Sequence, residues 1–346
     1  MQTYSALDRY FRAPNGHSYY FLTPAPLALL ASLFDDIEYA GAADSDAVTR
    51  LPDGTRAFFQ CVDSLERPPR RPFSIQHLYY DFTEDYFIDP VGLYADLRAR
   101  VLRFSGDLTS RPGVLRDAAV LVSRYDLDWP RDLFESVPEP PVLPVTEQRW
   151  LLSTLLESAR PEKGLRLLHE TGFIRTHWPE LESMTDVAQT KDHHPEGNVL
   201  NHTLSALTHR KKHDPALSLA ILLHDLGKTV AESTRENPYR DHAGRGALLA
   251  ARFLRRLEYP APLIDDVVFL VRYHMMPDAL PRMPLYRIER LLMSPLFPLL
   301  LELYRADLLS TFRGPDKYYE ACRVYRAYLK KVRRPFQKLP SYKPVL

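Results

Sequence analysis

The sequence contains almost no cysteine, and the two it has lie far apart in the chain. Cys61 and Cys322 are the only cysteines among 346 residues, and neither stands in a CxxC pair. A disulfide framework needs several cysteines, and a thiolate zinc site needs closely spaced ones. Neither is indicated, so any metal ion must be held by histidine and carboxylate side chains.

Long hydrophobic runs are missing as well. The longest, such as 27–34 and 217–223, are much shorter than the roughly 20 residues that cross a bilayer. No charged segment followed by an apolar one opens the sequence. These absences predict a cytoplasmic protein without a membrane partner.

Neither sign of charge predominates, because 45 Lys and Arg residues face 44 Asp and Glu residues. The formal charge of +1 supplies no global field to hold a nucleic-acid backbone, but it does not exclude local basic patches.

Glycine is scarce beside proline, with 13 residues against 30. Prolines such as Pro161, Pro215 and Pro260 stand where helices should start or stop, which favours many short helices with stiff connections.

The first hundred residues carry short segments rich in aromatic and β-branched side chains, which are typical of strands. The predicted strands are 19–23, 37–40, 57–62, 73–82, 86–89 and 101–104. Helical spacing occurs at 92–100 and 112–125, so an α+β domain is expected. Asp44 and Asp46 have a DxD spacing there, but their small neighbours favour a solvated turn over a catalytic pair.

The C-terminal half has helical periodicity throughout. Apolar residues recur with a period near 3.6 from residue 147 onward. The predicted helices are 150–158, 164–171, 200–209, 216–230, 246–257, 264–274, 296–311 and 317–331. An all-helical region is therefore expected after the α+β domain.

Eight of the twelve histidines fall between residues 193 and 274. An apolar helix delivers the adjacent pair His224–Asp225, and Gly227 and Lys228 follow. Adjacent helical residues point about 100° apart, so both reach one ion only at the seam between their directions. A lone buried histidine is more often a packed core residue than a ligand. The His-Asp pair at the end of an apolar helix instead favours a divalent ion, and mixed N and O donors leave its identity open.

The HDxGK motif, with an upstream histidine on a helix and a distant downstream aspartate, resembles the HD metal-dependent phosphohydrolase superfamily. The resemblance implies metal ligands at His202, His224, Asp225 and Asp307, with Asp225 also catalytic. It implies one or two divalent ions, of Mn, Fe, Co, Ni, Zn or Mg. Such an ion lowers the pKa of its bound water from about 15.7 toward about 7.

Further residues are candidates around this centre. His242 and His274 are candidates for binding a second ion or a substrate phosphate. Lys228, as a catalytic and substrate-binding residue, and Arg245 are candidates for phosphate contact, with helix-end or surface charge as an equal alternative. Two histidines precede the first helix and either line the mouth of the site or cap that helix: His193 and His194.

The flanking residues extend the resemblance to bacterial CCA-adding tRNA nucleotidyltransferases, over about residues 70–320. Its C-terminal part rests on the segments 167–173, 178–181, 193–197, 202–204, 224–228, 242–246 and 272–274. Its N-terminal part rests on the segments 70–77, 80–81, 88–90, 95–97 and 101–103. One histidine of the family's HGHxxxG segment is replaced, with Arg240 in its place.

The catalytic features of nucleotidyl transfer are missing from the first domain. A transferase needs a glycine-rich strand-to-helix turn for the triphosphate and a strand-borne acidic pair for magnesium. Thr23 and Pro24 stand where the resemblance implies glycines, and Pro72 where it implies an aspartate. Helix arginines that would read the base are replaced by Val114, Asp117 and Val120. We expect no CCA addition.

Together these patterns predict an α+β nucleotidyltransferase-like domain at 1–106, an all-α neck and body at 107–185 and an all-α HD domain at 186–335. The predicted function is metal-dependent hydrolysis of a phosphomonoester or phosphodiester, with a nucleotide or another phosphorylated small molecule as partner and RNA as a further candidate. Two alternatives stay open, a non-catalytic relic that binds tRNA or protein and a divergent tRNA nucleotidyltransferase.

Overall fold

A computed structural model describes residues 3–13, 18–42, 45–65, 71–105, 113–130, 132, 134, 142–188, 197–231, 239, 241–312 and 314–333. Its contacts divide the chain into two compact units, Met1–Pro141 and Val142–Leu346. The finer division into three domains stays a prediction. None of the helices in these residues is both long and apolar enough to cross a bilayer.

The first unit is built on a four-stranded sheet with the strand order β1-β4-β3-β2. Its strands are β1 (Ser18–Thr23), β2 (Glu38–Ala42), β3 (Ser45–Arg50) and β4 (Arg56–Cys61). β1 and β4 run parallel, and the other neighbours are antiparallel. A separate antiparallel pair is formed by β5 (Tyr79–Asp81) and β6 (Tyr86–Ile88). The helices are α1 (Thr3–Phe11), α2 (Leu27–Leu33), α3 (Tyr94–Ala99) and α4 (Val114–Tyr125).

Helix α2 covers one face of this sheet. Leu30 of α2 packs with Ala47, Ala57 and Phe59 from the central strands, and all four are buried. Elsewhere in the unit, the buried Asp8 carboxylate of α1 accepts two hydrogen bonds from the Arg124 guanidinium of α4, at 2.7 and 2.8 Å. Because a buried carboxylate is costly unless paired, this contact fixes α1 on α4.

Three local predictions for this unit were wrong. Asp46 lies in β3 instead of a turn, and its carboxylate accepts the Cys61 N–H at 2.7 Å; Asp44 lies outside the described residues. The segment 73–82 begins as the 3₁₀ helix Ser74–His77, because the Gln76 side chain accepts the Phe73 N–H at 3.1 Å and turns the chain. The segment 101–104 forms only isolated bridges.

The second unit is helical, as predicted. Its helices are α5 (Val145–Glu157), α6 (Pro161–Glu170), α7 (Phe173–His177), α8 (Pro179–Glu182), α9 (Val199–Thr208), α10 (Pro215–Leu223), α11 (His242–Arg256), α12 (Ala261–Tyr273), α13 (Met276–Ala279), α14 (Leu285–Leu292), α15 (Phe297–Leu309) and α16 (Asp316–Arg333). The prediction of an α+β region followed by helices is confirmed. Helix α10 is buried among α5, α9, α12 and α15, which places its C-terminal end inside the unit.

Candidate metal centre

Helix α10 positions the His-Asp pair. The Asp214 side chain caps its start by accepting the Leu217 N–H at 2.9 Å, and Pro215 occupies the first turn. The helix ends at Leu223, and Asp225 leaves the helical conformation before the 3₁₀ turn Leu226–Thr229. Both polar side chains therefore follow directly on a helix that is buried from Ala216 to Leu223.

Gly227 allows α11 to approach this turn closely. A Cβ atom at residue 227 would lie 1.9 Å from the backbone oxygen of His242 and 2.5 Å from the nitrogen of Gly246. Since no side chain fits there, only glycine lets the first turn of α11 pack on the 3₁₀ turn. The sequence Leu-Gly-Lys thereby brings His242 beside Asp225.

The first group of donor atoms comes from α9, from α15 and from the two residues that follow α10. His202 Nε2 of α9 lies 3.0 Å from Asp307 Oδ1 of α15 and 3.7 Å from Asp225 Oδ2. His224 Nε2 lies 3.3 Å from Asp225 Oδ2 and 3.7 Å from Asp307 Oδ1. The four residues predicted as first-ion ligands are thus brought together, although they span more than 100 positions of sequence.

A second group faces the other oxygen of the same aspartate. His242 Nε2 lies 3.6 Å and His274 Nε2 3.9 Å from Asp225 Oδ1, and the two imidazole nitrogens are 3.2 Å apart. Asp225 therefore stands between two donor sets, with Oδ2 toward His202 and His224 and Oδ1 toward the other pair. Each set is compact enough to surround one ion.

Each of the four imidazole rings is held through its other nitrogen. The Nδ1 atoms of His224, His242 and His274 lie 2.9, 2.9 and 2.7 Å from the carbonyl oxygens three residues earlier. His202 Nδ1 lies 3.2 Å from Ser310 Oγ, whose hydroxyl donates to the Asp307 carbonyl at 2.6 Å. Because these oxygens accept a hydrogen bond from Nδ1–H, the tautomer that leaves Nε2 free for a metal is favoured.

Burial and neighbouring charges also set the protonation of the donor groups. Burial lowers the pKa of His274 to about 4 and also lowers that of His242, so both rings are neutral near pH 7. Burial alone would raise the pKa of Asp225, but the nearby Lys228 ammonium and His224 outweigh it, and the pKa lies well below its usual range. The carboxylate is therefore ionised, as metal binding requires.

Two observations show that these residues fit a divalent ion. His224 Nε2 is buried and has no hydrogen-bond partner among the residues that the structure describes, although such atoms are normally paired. Burial lowers the pKa of His224, but the Asp225 and Asp307 carboxylates raise it to about 10, because two negative charges beside this ring favour a positive charge there, from a proton or from a metal ion that replaces it. Imidazole nitrogens combined with carboxylate oxygens suit several transition metals.

The predicted phosphate-contact residues differ in their surroundings. The Lys228 Nζ atom lies 2.6 Å from Asp225 Oδ2 and 5.4 Å from the centre of the Tyr239 ring. The Arg245 guanidinium donates to the Val230 carbonyl at 2.9 Å, at the end of the turn that follows the motif. His193 and His194 lie outside the described residues, so their predicted roles are unchanged.

Sequence reasoning missed Ser310 and Tyr239. Ser310 follows Asp307 by three residues at the end of α15, a spacing that could have indicated a hydroxyl on the same face. Tyr239 has no such signal, because its ring approaches Lys228 only through the packing of the chain before α11.

The β1–α2 turn of the first unit lacks the amides of a phosphate-binding turn. Pro24 and Pro26 have no N–H group, and the Ala25 N–H donates to the Thr23 side-chain oxygen at 3.1 Å. α2 begins after Pro26 without a side-chain cap. Few backbone donors are thus left for a triphosphate at this turn. Val114 and Val120, at the positions of the missing base-reading arginines, are buried in α4.

The chain is similar to known proteins both in one domain and over a longer stretch of sequence. Residues 198–311 match the HD domain family. The multifunctional CCA protein of Halorhodospira halophila is 31% identical over 205 residues, with 54% of this chain and 48% of that protein covered. The one from Pseudomonas aeruginosa is 32% identical over 219 residues, with 59% and 53% covered. The chain spans about half the length of these relatives.

A solved tRNA nucleotidyltransferase, complexed with a primer tRNA and an incoming ATP analog, has the same fold. It superposes with a TM-score of 0.56 at 16% identity, and the match covers 97% of this chain and 95% of that one. The chain thus combines an α+β unit and a helical unit in the fold of a nucleotidyltransferase, and its helical unit contains the match to the HD domain family. The homologues of this chain are CCA-adding enzymes, and the predicted resemblance is confirmed.

The names of the relatives favour one of the two alternatives to the predicted hydrolase. They indicate an enzyme family concerned with tRNA, and a divergent tRNA nucleotidyltransferase agrees with them better than a free-standing phosphohydrolase does. Hydrolysis by the HD domain is not confirmed by these similarities. The metal, its identity and the cytoplasmic location stay predictions.

Proposed function

We propose that this chain is a metal-dependent enzyme of tRNA-related phosphate esters, with the HD domain as its hydrolytic centre. The observation that carries the proposal is the Asp225 carboxylate, whose two oxygens each face a different pair of histidine Nε2 atoms. The CCA-adding relatives supply the substrate class, a nucleotide or the end of an RNA.

The two donor sets support a proposed set of ligands. His202, His224, Asp225 Oδ2 and Asp307 would hold a first ion, and Asp225 Oδ1, His242 and His274 a second. A bound divalent ion supplies a hydroxide near neutral pH and polarises the phosphoryl oxygen. The fixed Nδ1 contacts keep the histidine rings oriented without reorganisation during turnover.

The cations beside the centre would bind the substrate. Lys228 is 2.6 Å from Asp225 Oδ2, within reach of an anion at the first donor set. It would contact a phosphate oxygen and offset charge that develops on it during hydrolysis. Arg245 remains a proposed phosphate contact, and His193 and His194 remain proposed to line the mouth of the site.

Metal-dependent hydrolysis can be measured on the full chain with generic substrates. After treatment with EDTA, the protein should hydrolyse p-nitrophenyl phosphate or bis(p-nitrophenyl) phosphate only when a transition metal is returned. Asp225→Ala should lose this activity, whereas Asp265→Ala, which removes an exposed carboxylate on α12, should retain it. Wild-type activity in the Asp225→Ala protein would show that the centre is misassigned.

Nucleotidyl transfer is the second candidate, because the relatives and the structural neighbour are named for it. It requires the first unit to bind a triphosphate despite the two prolines of the β1–α2 turn. A tRNA that lacks its 3′ end discriminates between the candidates. The hydrolase releases phosphate or opens a phosphodiester of this RNA, whereas the transferase lengthens it when CTP, ATP and magnesium are supplied.

A further inference from the structure

The near-zero charge of the chain conceals a strong asymmetry. Residues 282–346 contain 14 Lys and Arg against 5 Asp and Glu, a formal charge of +9. Residues 1–281 contain 31 against 39, a formal charge of −8. A positive field is therefore concentrated in the last fifth of the chain, where a polyanion would be attracted.

Within this region, α16 presents a row of cations, which we call the basic face: Arg323, Arg326, Lys330 and Lys331. All four side chains are exposed. Arg323, Arg326 and Lys330 follow a helical i, i+3, i+7 spacing, so they lie on one side of α16 within about 10 Å along its axis. None of the four has an ion-pair partner in the part of the chain that the structure describes.

The opposite side of α16 is already covered by the protein. Ala321 and Tyr328 are buried, and the rings of Tyr325 and Phe297 of α15 have centroids 4.7 Å apart. A helix that binds a membrane surface must offer an apolar face to the lipid. Because α16 uses its apolar side for packing, the basic face suits a hydrophilic polyanion better than a bilayer.

An aromatic ring extends the basic face toward the start of α16. Tyr319 is 61% exposed and precedes Arg323 by one helical turn. Rings interleaved with cations are typical of surfaces that bind single-stranded nucleic acid, since each base can stack while the phosphates meet the cations.

The start of α16 is tied to the segment that carries a donor of the metal centre. The Asp278 carboxylate accepts hydrogen bonds from Lys317 of α16 at 2.6 Å, from Arg282 at 2.9 Å and from Tyr304 at 3.1 Å. Asp278 follows His274 by four residues in the chain. The start of α16 is thus fixed to the helical segment that follows His274, a donor of the site where hydrolysis is proposed.

We propose that the basic face of α16 binds the phosphate backbone of an RNA. The inference deepens the proposed function and rests on it, because it assigns a surface of the chain that would hold an RNA substrate. Phosphate contacts of this kind position the nucleic acid without reading its sequence.

Binding of a fluorescent tRNA to the full chain in EDTA tests the proposal without any turnover. The variant Arg323→Gln/Arg326→Gln should bind about 25- to 60-fold more weakly at 0.1 M salt, and the slope of log K against log salt should flatten by about 1.4 to 1.8. The matched control is Arg252→Gln/Arg255→Gln, an exposed pair with the same spacing on α11. It should leave the affinity and the slope near wild type.

The remaining outcomes separate this proposal from the hydrolase. An unchanged affinity and slope in the α16 variant, or an equal loss in the control, would overturn the RNA assignment. So would a loss of binding to phosphatidylserine vesicles with tRNA affinity retained, which would assign the face to anionic lipid. The α16 variant should keep wild-type hydrolysis of bis(p-nitrophenyl) phosphate. tRNA binding without any hydrolysis would refute only the hydrolase.

Discussion

The metal centre and the β1–α2 turn are two potential phosphate sites in one chain. They differ in whether neighbouring groups hold the donor atoms ready for a ligand. At the metal centre, each histidine has its Nδ1 atom fixed and its Nε2 atom directed at a carboxylate. At the turn, prolines and a side-chain hydrogen bond remove most of the backbone donors. The fold of a nucleotidyltransferase is therefore present with few backbone donors at this turn, so function must be judged from the supporting contacts.

The contrast between the two sites would be refuted most clearly if the two donor sets of the metal centre did not share the Asp225 carboxylate. Asp225→Ala should lose both ions and reduce hydrolysis by more than about 100-fold, since it removes a donor from both sets, and even an outer partner of a ligand is worth about 10- to 100-fold. His274→Ala should lose only the second ion. Metal content by mass spectrometry measures this, and one retained ion in the Asp225→Ala protein would contradict the shared carboxylate.

The close approach of α11 to the motif turn can be broken by a single methyl group. Gly227→Ala should lower the free energy of unfolding by about 3 kcal/mol, because the added Cβ would overlap backbone atoms that cannot move independently. Gly246→Ala is a graded control, since its Cβ would come no closer than 3.1 Å to the Gly227 nitrogen. Urea unfolding compares the two variants, and equal stabilities would show that the contact at residue 227 relaxes.

The support of His202 can be weakened without removing a donor. Ser310→Ala should reduce metal affinity by about tenfold, because the His202 ring loses the acceptor that fixes its tautomer. Thr208→Ala removes a hydroxyl that donates to the Ser205 carbonyl of its own helix and should leave the affinity unchanged. Calorimetric titration with Mn²⁺ compares the two variants. Equal affinities would mean that Ser310 does not orient the His202 ring.

The smallest effect is expected at the β1–α2 turn. Wild-type protein should incorporate no labelled CTP or ATP into a tRNA lacking its 3′ end, and Thr23→Ala should change neither this result nor hydrolysis, because the turn offers too few amides for a triphosphate. Incorporation above that of a protein-free control would show that the first unit still uses a triphosphate, and it would make nucleotidyl transfer the main activity.

The sequence by itself determined the helical C-terminal half and the ligand candidates. The apolar period of α10 and the residues that follow Leu223 are local features, and local features can be read without knowing what packs against them. The resemblance to the HD family then indicated His202 and Asp307. Strand β3 was not predicted because its small residues have weak strand propensity, and pairing with β4 overrides it.

Only the tertiary structure decided how the donors are shared and supported. The approach of His242 depends on the missing side chain at Gly227. The assignment of the Asp225 oxygens to two donor sets depends on the packing of α9, α12 and α15 around α10 and of α11 on the 3₁₀ turn. The charge asymmetry is present in the sequence, but the basic face exists only because α16 buries its other side against α15. Such contacts join residues that are distant in sequence, and their geometry is set by packing that no local pattern encodes.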